Sequence, residues 1–281
     1  MTMHLLPSSI PSPTSGTMAI GTLRVTAYGL MIALGVVAAV SLAGRRLTKS
    51  GSGTRDDMSS IATWAVVGGI IGARLYHVIT DWSIFSGDLA RIPLIWKGGL
   101  GIPGGLLGGV LGGVYGARRR AVPVPELLTA AAPAVPLAQS IGRWGNWWNQ
   151  ELFGRATTLP WALRISDDKL PAGYPSGTTF HPTFLYESLW NLALCILLLQ
   201  IDRRIRLRPG RLFALYLAGY FAGRFWIEGL RIDPAHVVGG LRLNQWVAAL
   251  VVVASVEFLL LDRRSRGEDF SVAMSAEETI R

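Results

Sequence analysis

The sequence predicts an all-α polytopic membrane protein with about seven transmembrane helices and a small irregular extracytoplasmic head between helices four and five. Hydrophobic residues make up 50% of the 281 residues and charged residues only 16%, a composition typical of membrane proteins. The apolar residues form blocks of about 20, the length that crosses the hydrocarbon layer of a bilayer. A soluble protein would disperse them at helical or strand spacing.

The apolar blocks define the candidate spans, and the loops between them indicate an orientation. The spans are residues 23–42, 58–79, 98–117, 124–142, 182–201, 212–230 and 243–261. Alternate loops are rich in basic residues, among them Arg118, Arg119, Arg120, Arg203, Arg204, Arg263 and Arg264. Because basic loops tend to stay in the cytoplasm, we expect the N-terminus outside and the C-terminus in the cytoplasm.

Three parts of the chain differ in composition. Residues 1–22 lack a basic n-region and contain prolines, so we expect a flexible extracytoplasmic extension and no signal peptide. Residues 23–262 form the seven-helix membrane domain, in which the proline-rich loop 143–181 is the outer head. Residues 263–281 are acidic and polar and predict a disordered cytoplasmic tail.

Cysteine, histidine and net charge exclude several classes of function. Cys195 is the one cysteine and lies in an apolar run, and the four histidines lack ligand spacing. The sequence therefore predicts neither an intramolecular disulfide nor a metal site, and it indicates no cofactor. The net charge of +9 is distributed between apolar blocks and does not form a basic face. We therefore expect no nucleic-acid partner.

The third span carries two ladders of glycines spaced four residues apart. The ladders are Gly101, Gly105, Gly109, Gly113 and Gly104, Gly108, Gly112, Gly116. Such ladders let helix backbones approach closely. The sequence favours tight helix packing, and a groove for a lipid tail is the alternative.

Polar and charged residues cluster at the predicted outer ends of several spans. The stretch from Gln139 to Arg155 is dense in them, and Arg224 precedes Glu228 by one helical turn. Ionisable residues within a membrane domain are costly and indicate a functional site. Arg143 and Arg224 outnumber the acid identified near them, and such a surplus suits a phosphate at headgroup depth. Snorkelling of Arg74 and a purely structural Arg224–Glu228 pair are the alternatives.

Six motifs together resemble one family. The stretch IGRWGNWWNQELFGR, residues 141–155, resembles the most characteristic signature of the bacterial prolipoprotein diacylglyceryl transferase family. The motifs TAYGLM, GARLYHV, KGGLGIPGG, HPTFLYES and GRFWIEGLR match others, in the same order over nearly the whole chain. The resemblance implies a multi-pass enzyme of the bacterial cytoplasmic membrane. Such an enzyme transfers diacylglyceryl from phosphatidylglycerol to the lipobox cysteine of a preprolipoprotein signal peptide, forming a thioether and releasing glycerol phosphate.

The resemblance also implies roles for individual residues. The catalytic candidates are Arg143, Arg224, Glu151 and Tyr28. The substrate-binding candidates are Arg143, Asn146, Asn149, Gly154, Arg74, His77 and Glu228. We expect the arginines to neutralise the departing phosphate and Glu228 to orient Arg224. The expected partners are phosphatidylglycerol, preprolipoprotein signal peptides and membrane lipids.

One departure from the family pattern leaves the thiol's base unassigned. Many members carry a histidine in the glycine-rich loop where this chain has Pro103. His77 and His181 are considered as bases, although structural roles are favoured for both. Nearby cations that lower the thiol pKa are the alternative. Two other functions also stay open: a phospholipid or anion transporter and a non-catalytic scaffold for lipoprotein precursors.

Overall fold

The computed structural model describes residues 9–20, 23–205 and 207–279, and their side chains apart from those of 18–24, 97 and 262–279. The helices are α1 (Ala27–Lys49), α2 (Arg55–Thr80), α3 (Trp82–Phe85), α4 (Ile102–Arg119), α5 (Val124–Ala131), α6 (Ala134–Gly142), α7 (Trp144–Asn149), α8 (Thr183–Arg204), α9 (Arg211–Leu230) and α10 (Leu243–Thr279). The strands are β1 (Ile10–Pro11), β2 (Thr17–Ile20), β3 (Leu23–Thr26), β4 (Leu163–Arg164), β5 (Thr179–Phe180), β6 (Val237–Val238) and β7 (Leu241–Arg242). Short 3-10 turns lie at Leu89–Arg91, Ile95–Lys97 and Asp167–Lys169.

The fold is mostly helical, and four helices among the described residues are long and apolar enough to cross a membrane. They are α1, α2, α8 and the part of α10 from Leu243 to Leu261. The other predicted spans differ for visible reasons: α4 is rich in glycine and ends in two arginines, and α9 carries Arg211, Arg224 and Glu228. Pro133 separates α5 from α6, because proline lacks the N–H of a continuing helix. The number of seven spans therefore stays a prediction.

The helix surfaces are apolar where a soluble protein would be polar. The exposed fraction is 75% at Ile79 and 85% at Ile102, and many leucines, valines and isoleucines of α1, α2, α4 and α10 are also exposed. Contiguous apolar surface of this kind marks contact with lipid or protein. The surface therefore agrees with a membrane protein.

The chain divides into two units, which we describe separately. In the smaller unit, Val40–Ala131, α2 and α4 pack glycine against glycine. A methyl group on Gly104 would overlap the carbonyl oxygen of Gly72, and one on Gly108 would overlap that of Gly68. The second glycine ladder thus faces α2 directly, which confirms the prediction of close packing.

The larger unit contains the chain up to Ala39 and from Ala132 onward. Its helices α6, α8, α9 and α10 pack in a bundle in which α9 contacts both α8 and α10. Ser140 on α6 and Ser188 on α8 each donate a hydrogen bond to the other's carbonyl oxygen, both at 2.9 Å. These bonds fix the register of α6 and α8.

The segment predicted to form the head has its own apolar core in the larger unit. This core consists of Phe153, Leu163, Ile165, Phe180 and Phe184. Strand β4 pairs antiparallel with β5 and parallel with β1. The chain around this core is thus irregular with short strands.

The structure describes the N-terminal region in more detail than the C-terminal tail. Residues 9–20 contain short strands, since β1 joins the head sheet and β2 pairs with β3, and the flexibility of the N-terminal extension stays a prediction. Apolar Ile10 also packs against the head core. The first helix consequently begins at Ala27 and not at residue 23. Residues 1–8 lie outside the described residues, and the side chains of the predicted tail do too, so the tail stays a prediction.

The glycine packing makes a testable distinction between neighbouring glycines. We expect Gly108→Ala to lower the thermal stability by about 1–3 kcal/mol, because its methyl group meets backbone that cannot rotate away. Gly109→Ala is the matched control, since its methyl group would lie 3.6 Å from the nearest atom, the Ala65 carbonyl oxygen. Thermal unfolding of both purified variants in detergent measures the difference. Equal melting temperatures would contradict this packing.

Candidate functional site

A buried carboxylate, Glu187, joins two arginines in the larger unit. Arg143 lies at the junction of α6 and α7, and its Nη2 is 2.5 Å from Glu187 Oε2. Arg224 on α9 places its Nη1 3.3 Å from Glu187 Oε1. The Glu187 side chain is only 4% exposed. One carboxylate in the first turns of α8 therefore fixes guanidinium groups from two other elements.

A second buried carboxylate extends this chain of charges. Glu228 follows Arg224 by one helical turn, so both side chains lie on one face of α9. Arg224 Nη2 is 2.5 Å from Glu228 Oε2, and Arg242 Nε is 2.9 Å from Glu228 Oε1. Asn244 also donates to Glu228 Oε1, at 3.2 Å. The predicted orienting role of Glu228 thus has a geometric basis, although its burial is also what a structural pair requires.

The loop after α9 completes the network. Arg231 Nε lies 2.6 Å from Asp233 Oδ1, and Arg242 Nη2 lies 3.0 Å from Asp233 Oδ2. Arg242 Nη1 donates to the Arg231 carbonyl oxygen at 2.8 Å. Arg242 is placed for this by the β6–β7 hairpin, whose turn residues Gly239 and Gly240 both have positive φ. The hairpin turn thus brings Arg242 into contact with the network.

The structure adds an unexpected carboxylate to the charge balance of the site. Sequence reasoning balanced Arg143 and Arg224 against Glu228 and missed Glu187, which lies between them. With Glu187 included, the ion-paired network contains four guanidiniums, of Arg143, Arg224, Arg231 and Arg242, and three carboxylates, of Glu187, Glu228 and Asp233. The available signal was an acidic residue near the start of a predicted span, which by itself indicates a functional or paired carboxylate.

Around Glu187 and Glu228, the side chains of Arg143 and Arg224 are more exposed than the carboxylates that hold them. The side chains of Arg143 and Arg224 are 20% and 16% exposed, whereas those of Glu187 and Glu228 are 4% and 1% exposed. A group that approaches these two pairs therefore meets a guanidinium before it meets Glu187 or Glu228. Each guanidinium has five N–H donors, so the contacts with carboxylates do not exhaust its capacity to bind an anion.

Asn146 connects Arg143 to Glu151. Arg143 Nη1 is 3.5 Å from Asn146 Oδ1, at the long limit of a hydrogen bond, and Asn146 Nδ2 donates to Glu151 Oε1 at 2.8 Å. Asn149 Nδ2 donates to the same oxygen at 3.1 Å. The predicted residues Asn146, Asn149 and Glu151 are thus brought together, with Glu151 as the acceptor at the centre.

The turn after α7 is strained and is held by side-chain hydrogen bonds. Gln150 and Leu152 have φ of 54° and 59°, which is unusual for residues with a Cβ. Gln150 Oε1 accepts from the Ser166 backbone N–H at 2.8 Å and from its hydroxyl at 2.7 Å. Gln150 Nε2 donates to the Pro13 carbonyl oxygen at 2.9 Å. Both the head and the N-terminal segment thus hold the turn that carries Glu151.

Two further predicted residues lie beside the network through close packing. The Tyr28 ring packs against Gly145, where a methyl group would lie 2.5 Å from Tyr28 Cδ2. Gly154 packs against backbone and side chains, since a methyl group there would lie 2.9 Å from His181 Cβ and 3.1 Å from the Leu230 carbonyl oxygen. Gly154 also donates its N–H to the His181 carbonyl oxygen. Glycine is therefore required there by the protein's own packing.

Arg74 and His77 lie in the smaller unit and organise its loop. The Arg74 guanidinium donates to the carbonyl oxygens of Arg91, Ile92, Gly98 and Gly99 at 2.6–2.9 Å. His77 Nδ1 lies 2.9 Å from Asp81 Oδ2. These residues line a cavity of about 250 Å³ together with Phe85 and Arg91. The geometry accounts for Arg74 as a loop organiser, and substrate binding by Arg74 and His77 stays a prediction.

The charges in the loop after α9 favour an ionised Asp233. Burial raises the pKa of its carboxyl, but the hydrogen bond from Arg231 and the charges of Arg231 and Arg242 outweigh it, so the pKa lies below its usual value. Burial lowers the pKa of Arg231, and the hydrogen bond and charge of Asp233 raise it above its usual value. Both groups therefore stay ionised at neutral pH.

Comparison with known proteins gives one family. Residues 16–261 match the family model described as prolipoprotein diacylglyceryl transferase. A protein named phosphatidylglycerol–prolipoprotein diacylglyceryl transferase 1, from Streptomyces coelicolor, is 47% identical over 275 residues, which are 95% of this chain and 78% of that protein. Proteins named phosphatidylglycerol–prolipoprotein diacylglyceryl transferase from Frankia alni and Rhodococcus jostii are 49% and 44% identical, over 94% and 92% of this chain and 70% and 76% of their own lengths.

The lowered pKa of Asp233 predicts a dependence of stability on pH. Because the folded state favours the carboxylate, its contribution is present above the unfolded pKa of about 3.9 and is lost as the pH falls through the folded pKa. We expect Asp233→Asn to cost about 1–3 kcal/mol at pH 7, with the difference from the unchanged protein shrinking below about pH 4. Thermal unfolding from pH 7 to pH 3 measures it. Asp168→Asn, at an exposed carboxylate, is the control, and a constant difference at all pH values would contradict the assignment.

Proposed function

The chain belongs to the prolipoprotein diacylglyceryl transferase family, and we propose that it transfers the diacylglyceryl group of phosphatidylglycerol to the lipobox cysteine of preprolipoproteins. The cysteine sulfur forms a bond to a glycerol carbon, and the bond from that carbon to the phosphate oxygen breaks. The products are a thioether and glycerol phosphate, and the thiol proton is released. The observation that supports this most is the pair of guanidiniums held on Glu187, at positions that match the family's motifs.

The arginine pair would stabilise the negative charge that develops in this reaction. Negative charge grows on the phosphate oxygen as the carbon–oxygen bond breaks. Arg143 and Arg224 are held by buried carboxylates before substrate arrives, so little reorganisation is needed when that charge appears. Donors fixed in this way stabilise a transition state better than mobile ones.

The remaining candidate residues take positioning and binding roles in this proposal. Asn146 lies between Arg143 and Glu151 and would bind headgroup oxygens while Glu151 orders it. Asn149 supports Glu151 from the other side. Tyr28, beside Gly145, would contact the phosphate or a glycerol hydroxyl. Arg74 and His77 would shape a lipid-binding loop in the smaller unit.

The thiol proton needs no dedicated base in this proposal. His181 Nδ1 lies 3.1 Å from the Tyr186 hydroxyl, and Trp161 Nε1 donates to the same hydroxyl at 3.1 Å. His181 is thereby engaged in a structural chain of hydrogen bonds. Guanidinium groups beside a thiol lower its pKa and favour the thiolate, so Arg143 and Arg224 would serve the nucleophile as well as the leaving group.

The charge distribution along single helices supports an outward-facing site. In α8, Glu187 lies near the N-terminal end, whereas Arg203 and Arg204 lie at the C-terminal end. In α9, Arg224 and Glu228 lie near the C-terminal end and Arg211 at the N-terminal end. Because basic helix ends favour the cytoplasm, we place the site at the outer leaflet of the cytoplasmic membrane, with the head outside, the N-terminus outside and the C-terminus inside.

The direct test mixes purified protein, phosphatidylglycerol and a lipobox peptide. We expect the peptide to gain the mass of one diacylglyceryl group and glycerol phosphate to appear in equal amount. A peptide with serine in place of the cysteine is the substrate control. An unchanged peptide with intact lipid would exclude the transferase function.

Replacing either arginine tests the charge-stabilising role. We expect Arg143→Gln and Arg224→Gln each to lower kcat by about 10²–10³-fold, the usual cost of losing one such donor. Lysine at these positions keeps the charge but loses the planar fork, so partial activity should return. Arg119→Gln removes an exposed arginine that bonds Tyr115 in the smaller unit and should leave kcat unchanged. Equal activity of all variants would exclude this role.

A double-mutant cycle tests whether Glu187 acts through the arginines. We expect Glu187→Gln to lower kcat at least tenfold, because one amide oxygen cannot replace two carboxylate contacts. In the Arg143→Gln background the same change should cost much less, since its partner is already absent. Additive losses in kcat would show that Glu187 does not act through Arg143.

A further inference from the structure

A polar cavity of about 460 Å³ lies in the larger unit between the N-terminal segment and the turn after α7. One wall carries Thr14, Ser15 and Thr17, and the opposite wall carries Glu151, Asp168 and Lys169. Its volume falls within the range of small-ligand sites. Glu151 and Asn149 line it and have the roles given above, but no part of either substrate is assigned to this space.

The cavity walls are held in place by hydrogen bonds that cross from one to the other. Gln150 reaches from its own turn to the Pro13 carbonyl oxygen at 2.9 Å and also holds Ser166. Trp147 Nε1 donates to the Pro11 carbonyl oxygen at 3.1 Å. The N-terminal segment thus forms a fixed wall, and a ligand would enter a cavity that is already shaped.

The charge of the cavity selects against phosphate. Its ionisable lining residues are two acids, Glu151 and Asp168, and one base, Lys169. A lipid headgroup phosphate would therefore meet a net negative site. Thr14 and Thr17 have hydroxyls that both donate and accept hydrogen bonds, which suits the alternating N–H and C=O groups of a polypeptide, whereas the Ser15 hydroxyl is already bonded to the Thr17 backbone.

The cavity is connected to the reaction site through Glu151. Glu151 lines the cavity and accepts from Asn146 at 2.8 Å, and Asn146 faces Arg143 at 3.5 Å. Extended polypeptide advances by about 3.5 Å per residue, so a few residues joined to a cysteine at Arg143 would reach the cavity. The signal peptide before the cysteine is apolar and does not suit this lining, whereas the chain after it leaves the membrane.

We propose that this cavity binds the first residues that follow the acceptor cysteine, in extended form and mainly through their main chain. The inference rests on the proposed function and names the part of the second substrate that the head and the N-terminal segment recognise. Main-chain recognition lets one enzyme accept many different lipoprotein precursors. The lipid binds elsewhere, at the arginines.

The test compares two lipobox peptides, one that ends at the cysteine amide and one that continues for four polar residues. We expect the protein to favour the longer peptide in kcat/KM by about tenfold, the value of one or two hydrogen bonds. Thr14→Trp, which fills the cavity from an exposed loop position, should remove this preference and leave kcat and the KM for phosphatidylglycerol unchanged. Thr158→Trp, at an exposed head position outside the cavity, is the matched control.

A second variant and a binding measurement keep the inference testable in every case. Thr17→Trp fills the same cavity from strand β2, where a large aromatic residue is compatible with the backbone, and it replaces Thr14→Trp if that variant misfolds. Anisotropy of a labelled peptide that contains only the four residues after the cysteine measures binding without turnover, and we expect weaker binding to both filled variants.

Three results would overturn the inference. They are equal use of both peptides by the unchanged protein, a preference for length that survives cavity filling, and a rise in the KM for phosphatidylglycerol instead of the peptide. Absence of transfer with retained, cavity-dependent peptide binding would overturn the proposed function alone.

Discussion

The bond between Glu187 and two guanidinium groups is the interaction on which the rest of the site depends. Removing a charged group from water costs several kcal/mol, and a buried carboxylate is tolerated only with close partners. Glu187 therefore requires the α6–α7 junction and α9 to converge on the start of α8. Because Arg224 also needs Glu228, and Glu228 needs Arg242, the requirement extends to the β6–β7 hairpin. The bundle and the arginine site consequently form together.

In the proposed function the arginine site binds an anion although carboxylates lie beside it, because Arg143 and Arg224 are more exposed than Glu187 and Glu228. The acids Glu187 and Glu228 are almost fully buried, while Arg143 and Arg224 retain accessible surface. The acids hold each guanidinium in position, and in the proposed function its remaining N–H groups donate to the phosphate. This arrangement is costly for stability and useful for catalysis, because the field at the phosphate is fixed before the reaction begins.

The spacing of residues along the sequence predicted the features that depend on local sequence, namely which side chains share a helix face. The i, i+4 spacing of Arg224 and Glu228 gave their common face, and the four-residue spacing of Gly104 and Gly108 gave the close packing against α2. Partners distant in sequence were missed. Glu187 is 44 positions from Arg143, and although the motif HPTFLYES was recognised, the pairing of its glutamate with the arginines was not. The strand β1 was missed because two residues that pair with β4 across about 150 positions carry no local signal.

The strained turn after α7 explains how the head and the site influence each other. Gln150 and Leu152 flank Glu151 and both have positive φ, which costs of order 1–3 kcal/mol each when the residue is not glycine. Such conformations persist only where the surroundings enforce them, and here the enforcing bonds come from Ser166 in the head and from Pro13 in the N-terminal segment. The Thr183 hydroxyl, at the start of α8, also donates to the Leu152 carbonyl oxygen. Since Glu151 orders Asn146 beside Arg143, loosening the head would release the strain and move Glu151 away from Asn146. The head therefore contributes to the geometry of the arginine site even though its core lies outside it.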